Sequence, residues 1–162
     1  MSTSTFTMVH VVISLVGIVS GIIVAFGMLT GKHLGGLTGI FLATTVLTSV
    51  TGFLFKSTSF GASHVFGVIS LVLLTLALIA LYGRHLNGGW RSIYIATALA
   101  SLYLNVFVGV VQAFQKIAVF QALAPTQAEM PFIVAQTVVL AIFLIVGWLV
   151  PKTFHPLAAS TP

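Results

Sequence analysis

No charged residue precedes Lys32, and residues 8–29 run MVHVVISLVGIVSGIIVAFGML without a single Asp, Glu, Lys or Arg. In the hydrocarbon of a bilayer no water can satisfy backbone N–H and C=O groups. An α-helix of about 20 apolar residues bonds its own backbone while crossing, so this stretch predicts a transmembrane helix. It has no basic residue ahead of it and is too long for a signal-peptide core, so it does not predict a cleavable leader.

Four further stretches repeat the pattern. We read five transmembrane helices near 8–30, 37–55, 62–83, 90–114 and 132–150, an all-α membrane protein whose single domain spans 1–162. The breaks fall at TGKHLGG, FKSTSF, GRHLNGGW and the long QKIAVFQALAPTQAEMPF. Gly35–Gly36 and Gly88–Gly89 stop helices, and Pro131 suits a first helical turn. Only 4% of the residues are charged, against roughly 25% in soluble domains, which leaves no separate soluble domain. In the long fourth connection, Ile117, Val119, Phe120 and Leu123 fit either a short helix lying in the membrane interface or an irregular loop.

The charges give an orientation. With five spans, one side receives Lys32, Arg84, Arg91 and Lys152, and the other Lys56, Lys116 and Glu129. Basic residues accumulate in cytoplasmic loops, so the N-terminus is expected outside and the C-terminus in the cytoplasm. Glu129, just before the fifth helix, is placed to favour its dipole. Single scattered cations make a nucleic-acid surface an unsupported reading of the net charge of +5. The absence of Cys excludes disulfides, thiol chemistry and Cys-ligated metals.

An internal repeat adds geometry. GKHLGGLTGIFLATTVLTS at 31–49 aligns, with one inserted residue, to GRHLNGGWRSIYIATALAS at 83–101. Upstream, HVVISLV at 10–16 echoes HVFGVISLV at 64–72. Helices 1–2 and 3–4 therefore read as two repeated hairpins that form a four-helix bundle, with the fifth helix added. Hairpins repeated in one orientation are related by an axis along the membrane normal. That would set His10 opposite His64, both about one turn inside their helices on the outer side, and would make His33 the counterpart of His85 in the basic loops.

Polar residues inside the spans should point inward and meet one another. The fourth helix carries Tyr94, Thr97, Ser101, Asn105 and Gln112 on one face. The second carries Thr44, Thr48 and Thr51, and the fifth Gln136 near its outer end. Interhelical packing accounts for the hydroxyls and for Asn105. Gly17/Gly21 and Gly35/Gly39, each a GxxxG, predict two close helix contacts.

One pair invites chemistry. Two histidines from two helices suit axial ligation of a haem iron, and a neutral imidazole beside an amide suits a quinone carbonyl. The candidate cofactor site is therefore His10 and His64 as ligands of haem iron or contacts of a quinone, with Gln112 and Gln136 as supporting donors. No nucleophile–base pattern gives catalytic residues. The other two readings are a non-catalytic accessory or assembly subunit of a larger membrane complex, suggested by the short loops, and a small-solute or ion transporter, suggested by the stripe and the repeat.

The segments SHVFGVISLVLL, YLNVFVGVVQAFQK and LAPTQAEMPFIVAQTVVLAIF resemble a family of small multi-pass bacterial inner-membrane proteins with no established function. The resemblance extends from Val9 to about Val150. It implies a bacterial inner membrane and carries no activity, cofactor or site.

Overall fold

The computed structural model describes residues 3–55 and 62–156. Those residues form α1 (Thr3–Leu29), α2 (Gly35–Gly52), α3 (Ala62–Leu78), α4 (Trp90–Lys116), α5 (Ala118–Leu123) and α6 (Met130–Thr153), with no strand among them. All but α5 are long and apolar enough to cross a membrane. The predicted spans thus appear at their expected places, with shifted ends. Lys56 lies outside the described residues.

The shifts have local causes. α1 begins at Thr3 rather than near residue 8, so His10 stands about two turns inside its helix rather than one. α2 stops at Gly52 instead of 55. α3 loosens into a π turn over Ile79–Gly83, closed by the Arg84 N–H on the Ile79 carbonyl at 2.8 Å. Pro131 stands in the first turn of α6, where a missing N–H costs nothing. The long connection does form a helix, α5, with Ile117, Val119, Phe120 and Leu123 exposed. Phe120 stacks on Phe114 at 5.3 Å between ring centroids, which ties α5 to the end of α4.

The packing is a ring. α1 packs on α2, α2 on α3, α3 on α4 and α4 back on α1, while α6 lies outside against α4 and α1. The diagonal contact across the ring is made by α2 and α4, so α1 and α3 occupy the far corners. The equivalence of the two hairpins remains a reading of the sequence.

Glycine sets the tightest crossing. A Cβ on Gly17 would stand 3.2 Å from Asn105 Nδ2, Thr44 Oγ1 and Thr45 Oγ1, and one on Gly21 would fall 2.5 Å from Leu102 Cδ1 and 2.8 Å from the Phe41 ring. At Gly21 a Cβ would force Leu102 or Phe41 to shift, and at Gly17 it would crowd three polar side chains, so these glycines let α1 lie close to α2 and α4. The second GxxxG behaves differently. Nothing lies within 4 Å of a Cβ on Gly35, and Gly39 approaches only the Tyr82 hydroxyl, at 3.8 Å. Its expected close contact is corrected: Gly35 opens α2 at its exposed end.

Candidate functional site

His10 is fixed by a short chain of hydrogen bonds. Its Nδ1 lies 2.7 Å from Thr51 Oγ1, and the same hydroxyl lies 2.7 Å from the Leu47 carbonyl. A hydroxyl has one hydrogen, and a carbonyl can only accept. Thr51 therefore donates to Leu47 and accepts from His10, which assigns the His10 proton to Nδ1. In the neutral ring the Nε2 lone pair is then free. Phe55 meets the imidazole edge-on at 5.0 Å. Gly52 lies beside the ring, and a Cβ there would make only an ordinary contact with Cε1, at 3.9 Å.

His64 stands on the other side of the same helix end. Its ring lies 5.7 Å from that of Phe53. Phe53 in turn covers Gly67, where a Cβ would sit 2.8 Å from its Cζ. The two histidines thus flank the C-terminal end of α2. Their described contacts go to different residues: Thr51 and Phe55 for His10, Phe53 for His64.

The two glutamines expected beside them are placed otherwise. Gln112 is exposed on α4. The stripe that buries Tyr94, Thr97, Ser101 and Asn105 ends before it. Gln136 donates Nε2 to the Phe107 carbonyl at 3.2 Å, leaving Oε1 buried without a partner, so it joins α6 to α4. The hydrogen bonds of His10 and Gln136 among the described residues do not join the two.

The α4 stripe is a packing seam. Thr97 donates to the Ile93 carbonyl at 2.7 Å and Ser101 to Ala98 at 3.0 Å, so their hydrogens return to their own helix. Across the seam, Thr44 and Thr45 do the same to Ile40 and Phe41, both at 2.7 Å. Asn105 Nδ2 and Thr48 Oγ1 remain buried without partners.

Glu129 stands where the sequence placed it, at the start of the last helix. It occupies the N-cap position of α6 without a side-chain bond to that helix. Instead its carboxylate accepts from the Thr126 N–H at 3.2 Å, the Thr126 hydroxyl at 2.8 Å and the Ala128 N–H at 3.1 Å. Partial loss of solvent raises its pKa, but these bonds prevail and hold the carboxyl below its ordinary value.

At the opposite end, His33, His85 and His155, all three exposed, line one open cavity of about 410 Å³. Sequence reasoning linked His33 to His85 through the repeat but had no signal for His155. Its place depends on the end of α6 folding back over the α1–α2 loop.

The fold and these seams define a helical, apolar protein compatible with a multi-pass membrane protein. No protein-family model, curated protein or solved structure matches the chain.

Proposed function

We propose that the chain is a multi-pass protein of the bacterial inner membrane, N-terminus outside, that carries one haem b near its outer surface as a component of membrane electron transfer. The observation supporting this is the His10 hydrogen-bond chain. An imidazole anchored through Nδ1–H, with a bare Nε2 lone pair, is the form that ligates iron. The same tautomer argues against the quinone variant, because a quinone carbonyl needs a donor. Gln136 Nε2 is already committed to Phe107. His64, at the same end of the bundle, is the candidate second ligand, and to share one iron with His10 it has to reach past the Phe53 side of the α2 end. Gln112 and Gln136 keep, at most, an indirect part.

The test is an absorption spectrum of gently solubilised protein. A Soret band is expected in the wild type, with bound haem lost in both His10→Ala and His64→Ala. Wild-type protein without a Soret band after expression with added haem precursor would overturn the reading.

A second reading, a non-catalytic accessory or assembly subunit, is favoured by α6. Val150 is its one buried residue, so nearly the whole helix is open to lipid or to another membrane subunit. Co-purification of a defined membrane partner, lost when apolar residues of α6 are replaced, would support it.

A further inference from the structure

The cavity at the other end of the bundle has no part in that reading. Three separate chain segments bring histidines to it: His33 from the α1–α2 loop, His85 from the α3–α4 loop and His155 from just beyond α6, over a floor that includes Leu81 and Leu86.

The segments that carry the histidines are each fastened to the bundle. His33 stacks on Phe154 at 6.1 Å with the rings 29° apart, and Phe154 is itself 1% exposed. The α6 end that carries Phe154 and His155 is tied down twice. Thr153 Oγ1 donates to the Met28 carbonyl at 3.0 Å, and an Arg91 guanidinium nitrogen donates to the Phe154 carbonyl at 2.7 Å. His85 follows the π turn, and the Leu86 N–H closes its loop on the Ala80 carbonyl at 3.0 Å. The cup is therefore assembled by the fold rather than by neighbouring residues of one loop.

Its charge is one-sided. Lys32, Arg84, Arg91 and Lys152 share this end with the three histidines, and the one Asp or Glu of the chain, Glu129, begins α6 at the other end. Several of the cations are already engaged. Arg84 lies over the Trp90 ring at 5.1 Å and Lys152 over Trp148 at 3.1 Å. Lys32 stands between Gly31 and His33, both of which line the cavity. Imidazole N–H groups around an apolar floor, with a lysine at the rim and no carboxylate side chain to compete, form a donor set for a tetrahedral oxyanion. A metal fits less well, since no three His, Asp or Glu among the described residues approach closely enough to hold one.

We propose that this cavity binds a phosphate group, carried either by an anionic lipid headgroup or by a soluble phosphate, with His33, His85 and His155 as its hydrogen-bond donors. The two sources share the recognition chemistry and differ in how the group arrives.

The experiment uses the full chain in two settings. In detergent, inorganic phosphate is titrated and binding is read by calorimetry. In nanodiscs of phosphatidylcholine with and without phosphatidylglycerol, retained lipid is read by native mass spectrometry. The variant H33Q/H85Q/H155Q is expected to lose about tenfold or more in affinity, and Lys116→Gln, at the far end, to lose none. Loss in the phosphate arm identifies a soluble source, and loss in the phosphatidylglycerol arm alone identifies a headgroup. His155→Gln by itself, at an exposed position beyond the last helix, should still weaken binding several-fold if the triple variant fails to fold. Equal binding by wild type and His155→Gln in both arms overturns the proposal.

Discussion

α4 and α6 are neighbouring helices of similar length, 27 and 24 residues, with opposite fates. Of the most apolar stretch of α4, 44% is buried inside the protein, against 6% for α6. Yet α6 is the more apolar, with a mean hydropathy of 2.6 against 1.8. In water the ranking would be reversed. Inside a bilayer, lipid solvates Leu and Ile as well as a protein core does, so apolarity gives a helix no reason to move inward. Hydroxyls, amides and glycines do give one: they allow close backbone approach and avoid facing hydrocarbon. α4 takes the centre because it carries Ser101 and Asn105, and α6 remains at the rim.

The comparison can be broken by attacking the centre. Gly21→Val would drive a branched side chain into Leu102 and Phe41, both 1% exposed. Overpacking of this kind costs about 1–3 kcal/mol, so a clear drop in thermal stability in detergent is expected. A wild-type melting curve would mean that the crossing of α1 with α4 is not tight.

Thr51→Val removes the acceptor of the His10 bond while keeping the shape. Interhelical bonds of this kind contribute about 0.6 kcal/mol on average. The ring should also lose its preference for the Nδ1–H tautomer, which nitrogen chemical shifts of labelled His10 would report. Unchanged shifts would contradict the proton assignment.

Asn105→Leu sharpens the contrast from the polar side. Its Nδ2 is buried without a partner, and replacing an unsatisfied polar group by an apolar one of similar size is near neutral. A change within about 1 kcal/mol is expected. A larger loss would show that the amide does more than fill the seam.

At the rim, Ile145→Ala should change stability by less than about 0.5 kcal/mol, because Ile145 is 58% exposed. A large effect in the isolated protein would place α6 in an interface between copies.

The smallest effect concerns the loop before α6. The hydrogen bonds on Glu129 lower its pKa in the folded chain from the ordinary 4.5. Their contribution is therefore complete above that value and fades as pH falls through the lower folded-state value. Amide-exchange protection at Thr126 and Ala128, measured against Glu129→Gln at matched pH, should shrink below about pH 4.5. A constant difference down to pH 2, a value chosen to lie about two units below the ordinary carboxylate range, would refute the assignment.

Much of the molecule was legible in the residues because the bilayer simplifies the problem. Long uncharged runs must be helices there, whatever packs against them. Gly17 and Gly21 also announced a close crossing, and Tyr94, Thr97, Ser101 and Asn105 announced a buried face, since their spacing follows the helix period. Periodicity carries no information about whether a neighbour covers a given turn. Gln112 keeps the period of the stripe yet is exposed, and Gly35 has the spacing of Gly17 with nothing beside it.

Tertiary structure alone decided the sites. The sequence placed His10 toward one face of the membrane, but the position of its proton depends on a threonine that is distant in the chain and meets it only through packing. His33 and His85 were legible only as counterparts in the basic loops, and Thr153 and Arg91, by fastening the end of α6, bring His155 to the same cavity. Helix formation is local, set by each segment's own backbone and the surrounding lipid. A cavity at the bundle end is made by contacts between segments far apart in sequence, and it exists only once the helices have chosen their neighbours.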